Sequence, residues 1–320
     1  MIVRFSELHF PQDPATLYPH NPAGEWHLEI GFGDGRFWAA HHTLEPQANY
    51  LGVEISGVSL LKAERRARTS APQAVLTKAD ALSLLRAVPP EGSLSRIYIN
   101  FPDPWPKAGH LEHRLMRRVF FETAAGRLRA GGEIWITTDH EEYFEFALEE
   151  ARATGRYAIT ETEPPQAALQ TKYALKWRDL GLGARHARLR LELPGTVLHP
   201  DFRSLSQIPE DHMPHSVVQL PPAFEISSFE KRVARSASAT VVLLEAFRSA
   251  SRPAWTFLAH VEEEGLTQEV LINATEREQD VLVRLDRFGG PIVTPGVKRA
   301  VAAVTDYLEE RGSRVLMRAY

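Results

Sequence analysis

The sequence predicts an α/β protein: a largely parallel sheet of about seven strands covered by helices on both faces, followed by a smaller C-terminal α+β domain. Three observations lead there. Short apolar runs alternate with helical stretches from Trp26 to Leu193, the pattern of strands joined by crossover helices. The alternation then stops in a proline-rich stretch, after which strand-like runs follow one another without a helix of crossover length between them. Finally, 320 residues are long for one domain and suit two of roughly 100–200 residues each.

Taken in order, WHLEIG (26–31), NYLGVE (49–54), AVLTKA (74–79), LSRIYINF (94–101) and EIWITT (133–138) read as buried parallel strands, each closed by a polar or glycine turn. Residues 36–44, 58–67, 111–128 and 141–153 carry helical patterns between them, and 155–160 and 187–193 supply two further strands. Residues 194–222 contain Pro194, Pro200, Pro209, Pro214, Pro221 and Pro222 with few periodic apolar positions, which reads as linker. VVLLEAF, WTFLAHV, QEVLINAT and DVLVRLDRF are consecutive strands, and 297–310 is an amphipathic helix after Gly290-Pro291. The expected organisation is residues 1–193, a linker over 194–222, and an accessory α+β domain over 223–320.

Composition narrows the function. There is no cysteine, which removes disulfides, thiolate metal sites and cysteine nucleophiles together and suits a reducing cytoplasm. No apolar run is long enough for a membrane span, and the first twenty residues lack the apolar core of a signal peptide. A net charge of −4 weighs against a nucleic-acid binder. Distribution matters more than the total, because screening limits each charge to about 10 Å at 0.1 M salt. Lys107 to Arg118 and Lys172 to Arg190 are cationic and Glu141 to Glu150 is acidic, so a basic face on an acidic protein is available.

The first strand runs into Glu29-Ile30-Gly31-Phe32-Gly33-Asp34-Gly35. Glycines at alternate positions let the backbone turn sharply and approach a ligand where a Cβ would intrude. A dinucleotide site spaces its glycines differently, so that a helix N-terminus receives a pyrophosphate. G-x-G-x-G behind an acid instead suits a ligand with an amino group and no phosphate, or a purely structural turn. Glu54 ends the second strand, where a carboxylate can accept from both ribose hydroxyls of an adenosine. Asp80 follows the third, placed for an adenine amino group. Each acid equally suits a helix cap.

The fourth strand leads into Asn100-Phe101-Pro102-Asp103-Pro104-Trp105-Pro106-Lys107. Three prolines fix φ and remove donors, giving a rigid extended loop at the carboxyl end of a strand. Trp105 offers a face for stacking a base or a plug for the core. Lys107, His110, His113, Arg114, Arg117 and Arg118 offer charge for phosphates or a solvated basic helix. Asp139, after the fifth strand, suits either the N1 and N2 hydrogens of a guanine or the cap of the helix beginning at Glu141. His140 has no partner at a metal spacing, and no metal site is expected.

The glycine turn with its three strand-end acids resembles the Rossmann-like class I S-adenosylmethionine methyltransferases. FPDPWPK is similar to the signature of the tRNA (guanine-N7-)-methyltransferases of the TrmB family, a resemblance that covers about residues 25–193. The resemblance implies S-adenosyl-L-methionine as methyl donor, bound by Glu29, Gly31, Gly33, Gly35, Glu54, Asp80 and Asp103, with Asp103 catalytic. It implies tRNA as the partner, its variable-loop guanine at position 46 met by Lys107, Asp139 and the segment Thr171, Lys172, Tyr173, Ala174. The family's motif in that segment is threonine, two residues, then glutamate, and here Ala174 replaces the glutamate. The loop is also less basic than the family's, with Ala108, Gly109 and Leu111. Both departures lie on the RNA side. They leave open another target, such as an exocyclic amine, or a donor-binding RNA scaffold without catalysis. In the accessory domain, Lys231, Arg232, Arg235, Arg284 and Arg287 form either a solvated face or a second RNA-binding surface.

Overall fold

A computed structural model describes residues 1–70, 73–105, 114–172, 174–175, 183–196, 203, 207–263 and 266–320. The chain separates into two units: Met1–Phe5 with Phe10–Pro200, and Ser6–His9 with Asp201–Tyr320.

In the first unit, β1 (Trp26–Ile30), β2 (Asn49–Glu54), β3 (Val75–Lys78), β4 (Leu94–Asn100), β5 (Leu128–Thr138), β6 (Tyr157–Glu161) and β7 (Arg185–Leu191) form one sheet in the order β3-β2-β1-β4-β5-β7-β6. Strands β1 to β5 pair in parallel, and β7 runs antiparallel to both β5 and β6. All five residues of β1 are buried, as a central strand covered on both faces requires. The helices are α1 (Pro14–Leu17), α2 (Arg36–His42), α3 (Gly57–Ser70), α4 (Ala81–Ala87), α5 (Arg118–Arg127), α6 (Glu141–Arg152) and α7 (Gln166–Leu169). Helix α6 buries Tyr143, Phe144, Ala147, Leu148 and Ala151, one stripe at helical spacing, and carries Glu141 and Glu142 in the first turn where the helix dipole favours them.

Helices α1, α4, α5 and α7 of this unit differ from the sequence reading, α1 and α7 being single turns of four residues that it does not contain. Helix α4 has no counterpart in it, because seven residues give too short a period to read. The helix expected over 111–128 begins only at Arg118. Residues 114–117 precede it in non-helical form, and residues 106–113 lie outside the described part.

The second unit is a seven-stranded antiparallel sheet with one long helix. Its strands are β8 (His215–Gln219), β9 (Arg232–Arg235), β10 (Ala239–Arg248), β11 (Ala254–Glu263), β12 (Leu266–Glu276), β13 (Val281–Leu285) and β14 (Arg314–Ala319), in the order β14-β8-β13-β12-β11-β10-β9. Helix α8 (Pro295–Glu309) packs Val297, Ala300, Val301, Val304 and Leu308 against Val241, Phe257, Ile272 and Val283 of the sheet. Thr294 caps it by accepting from the Val297 N–H at 3.1 Å, and Glu263 accepts from the Gly296 N–H at 2.8 Å. The stretch read as linker over 194–222 contains β8, which pairs with β13 on one side and β14 on the other. Five residues between prolines carry no pattern of their own; the partners that make them a strand lie more than sixty residues further along the chain.

Candidate active site

The strand order reverses between β1 and β4, which leaves a crevice beyond their carboxyl ends. Four of the sequence-predicted acids arrive at this edge because each ends or follows a parallel strand: Glu29 on β1, Glu54 on β2, Asp80 after β3 and Asp103 after β4. Asp139 follows β5.

Gly31, Gly33 and Gly35 all take positive φ (+70°, +55° and +76°), a conformation that would strain any residue bearing a Cβ. A Cβ built at Gly31 or Gly33 meets nothing within 4 Å, so the turn borders open space, whereas at Gly35 it would lie 2.7 Å from Trp38 Nε1. The first two glycines therefore keep a surface clear and the third allows packing.

Glu29 is only 2% exposed. Burial pushes its carboxyl up to about 8; the Asn100 amide offsets this in part, while the Glu54 and Asp34 charges add to it. Its Oε2 has no hydrogen-bond partner among the described residues. A buried carboxyl with one oxygen unpartnered, beside an open glycine turn, is suited to a cationic ligand group.

Glu54 has a structural duty that the sequence reading lacks. Its Oε2 accepts from the Gly33 N–H at 3.0 Å and its Oε1 from the Ser56 N–H at 2.9 Å, so it fixes the glycine turn. Each oxygen retains lone-pair capacity for a ribose hydroxyl. Asp80 does cap α4, accepting from the Ser83 N–H at 2.7 Å through Oδ2, and its other oxygen has no partner among the described residues.

The proline loop is held rather than loose. Phe101 and Trp105, neither of them glycine, take φ of +51° and +43°, strain of the kind that persists only where the surroundings impose it. The Phe101 N–H donates to the Thr137 carbonyl at 2.7 Å, and Arg114 Nε donates to the Pro104 carbonyl at 2.9 Å. Between these anchors Asp103 is exposed and makes no hydrogen bond or ion pair among the described residues. Trp105 is 39% exposed, so it is not a core plug.

Arg114 is thus a correction to the sequence reading, which offers it either to phosphates or to a solvated basic helix. It is 2% exposed, donates through Nη2 to Glu142 at 2.9 Å, and lies over the rings of Tyr143 and Phe146 at 5.1 and 4.8 Å. Arg118 is paired with Glu122 at 2.8 Å. No local pattern distinguishes such a buried arginine from its exposed neighbours.

Asp139 is half-buried with no side-chain partner among the described residues. The cap of α6 is instead His140, whose Nδ1 accepts from the Tyr143 N–H at 3.2 Å. Thr171 Oγ1 donates to the Ala168 carbonyl at 2.9 Å and accepts from the Ala174 N–H at 3.3 Å; Ala174 is 6% exposed and Lys172 is exposed. Lys107 and Tyr173, expected on the substrate side, lie outside the described residues.

Sequence reasoning also missed a buried polar cluster near the amino end of β1. His27, His41 and Glu45 bring potential metal-ligand atoms within 4.8 Å of one another. The Arg96 guanidinium is already bonded to Glu45, and Tyr98 OH meets His41 Nε2 at 2.9 Å. The cluster therefore contains its own counter-charge. Burial holds His27 down to about 4, which keeps its imidazole neutral at physiological pH.

A sheet of this order, with a glycine turn and an acid at the end of each of its first strands, is the architecture of the class I methyltransferases. The methyltransferase family model Methyltransf_4 matches residues 23–187. A tRNA (guanine-N(7)-)-methyltransferase of Deinococcus radiodurans is 53% identical over 323 residues, covering 100% of both chains, and one of Thermus thermophilus is 38% identical, covering 99% of both. Among solved structures, an antibiotic-related methyltransferase has 15% identity and a TM-score of 0.40, covering 56% of this chain and 92% of its own. The chain belongs to the tRNA (guanine-N(7)-)-methyltransferase family, TrmB.

Proposed function

We propose that this chain transfers the methyl group of S-adenosyl-L-methionine to N7 of the guanine at position 46 of tRNA, in the cytoplasm. The observation that carries the reading is a glycine-lined cradle and a strained proline loop bearing an exposed carboxylate with no hydrogen-bond or ion-pair partner among the described residues, brought to one edge of one sheet. The cradle fits the donor: Gly31 and Gly33 keep space clear, and the orphaned Glu29 oxygen suits its amino group. Glu54 and Asp80 keep acceptor capacity for the ribose and adenine, and Gly35 and Asp103 complete this set. Lys107, Asp139, Thr171, Lys172, Tyr173 and Ala174 form the RNA side. The first unit carries the chemistry and the second is accessory.

When bound, the donor supplies an electrophilic methyl on sulfur. Guanine N7 has a lone pair and no proton, so this chain needs no general base. What its residues contribute is alignment, worth roughly 7–11 kcal/mol in favourable cases, and a carboxylate at Asp103 that stabilises the positive charge developing on the purine.

The test is to incubate the purified chain with unmodified tRNA transcripts and methyl-labelled donor, digest the RNA, and identify and map the labelled nucleoside. Labelled 7-methylguanosine at position 46 is the expected result. Label in another nucleoside would mark a different target. Bound donor with no transfer would favour the non-catalytic scaffold that Ala174 raises.

A further inference from the structure

Of the residues read as charge for RNA phosphates or as a solvated basic helix, Arg114 is buried under the proline loop and Arg118 is paired with Glu122, while Lys107, His110 and His113 lie outside the described residues. Charge for the RNA backbone has another source in the same unit. An open surface groove is lined by Arg36, Ala39, Ala40, Arg66, Gln170 and Leu175. Arg36 follows the last glycine of the donor turn directly, and Gln170 directly precedes Thr171 of the substrate segment.

Both arginines are fixed on one residue. Arg36 Nε donates to Asp34 Oδ2 at 2.9 Å, Arg66 Nε donates to the Asp34 carbonyl at 3.0 Å, and Arg66 Nη2 lies 3.7 Å from Asp34 Oδ2. Two guanidinium groups share one carboxylate, so the group keeps a net charge of about +1. Arg36 makes no hydrogen bond through its Nη groups among the described residues. Each arginine side chain is 37% exposed and so reachable from solvent. Anchoring through Nε lowers the entropy lost when the remaining donors close on an anion. No carboxylate stands among the described lining residues to oppose one, and Gln170 adds an amide.

We propose that Arg36 and Arg66 form a phosphate subsite for one phosphodiester of the RNA substrate, beside the methyl-transfer site. This rests on the reading of the chain as an RNA methyltransferase. On a protein with a net charge of −4, a local pair of pre-set guanidinium groups is what backbone recognition requires, since distant charges are screened.

The experiment measures tRNA affinity of the full chain between 50 and 200 mM salt for the wild type, Arg36→Ala, Arg66→Ala, the double alanine variant and Arg66→Lys, with donor affinity measured by calorimetry in parallel. In the double variant we expect affinity to fall about tenfold and the slope of log K against log salt to shrink by about one, the signature of one phosphate that the protein no longer neutralises. Arg66→Lys restores the slope but not the full affinity, because the planar fork is gone. Donor affinity stays at the wild-type value. Unchanged tRNA affinity and slope in the double variant overturn the subsite, and so does loss of donor affinity with the slope intact, which would reduce the pair to a brace for the glycine turn. If the wild type makes no 7-methylguanosine while the double variant still loses the slope, the catalytic reading fails and the subsite stands.

Discussion

Arg114→Ala tests whether the proline loop is held by its surroundings. The guanidinium is 2% exposed and makes one charge-assisted hydrogen bond to the loop, at the Pro104 carbonyl at 2.9 Å, of a kind worth about 1.5–3 kcal/mol. Its stacking over Tyr143 and Phe146 adds about 0.5–2 kcal/mol. The pair with Glu142 contributes little, because that carboxylate is 68% exposed and screened. Against this stand Phe101 and Trp105, whose positive φ angles cost roughly 1–2 kcal/mol each. The two sums are similar in size, so removing the arginine lets the loop relax out of its strained form. Because the released strain offsets most of the lost contacts, we expect Arg114→Ala to lower unfolding stability by only about 1 kcal/mol but single-turnover methyl transfer by about 100-fold, since a shift near 1 Å at a reacting centre costs that much. Arg114→Met keeps the buried stem and recovers part of the stability without the rate; Glu142→Gln changes neither. Denaturant titration and rapid-quench transfer to tRNA measure both. Arg114→Ala turning over within twofold of the wild type, whatever its stability, would refute the claim that this arginine positions the loop.

Further outcomes follow from the same site. Asp103→Ala is expected to cripple the single-turnover rate while leaving the unfolding midpoint unchanged, because the exposed carboxylate has no structural partner among the described residues; a near-normal rate would remove it from the catalytic role. Burial raises Glu29 from 4.5 to about 8, so the folded chain holds that proton more tightly than the unfolded one. Its contribution to stability is full below pH 4.5 and is lost as pH rises through about 8. Glu29→Gln should flatten this part of the stability profile, and parallel wild-type and variant curves from pH 5 to 9 would refute it. His27 has the opposite sign: depressed from 6.5 to about 4, it contributes stability that is full above pH 6.5 and is lost as pH falls through about 4. His27→Gln should therefore make the chain less acid-labile relative to its own stability at pH 7, as read from thermal unfolding at pH 7 and pH 5.

The sequence by itself determined the first sheet and the family. Parallel strands covered on both faces appear as unbroken apolar runs, and the glycine turn and proline loop depend on residue types whose φ restrictions are intrinsic. Those signals are local, so they survive in a one-dimensional reading. The destinations of individual polar side chains are not local. Glu54 holds the Gly33 N–H across 21 residues, and Arg114 reaches Glu142 across 28; nothing nearby in the sequence marks these structural duties. Asp103 and Arg114 flank the same loop, yet one is exposed and the other buried. In the second unit, β8 is a strand only because β13 and β14 supply its backbone partners. What the chain presents at its surface, and what it uses to hold itself together, is decided where distant residues meet, because a buried charge or an unpaired backbone group must find its partner wherever the fold brings one.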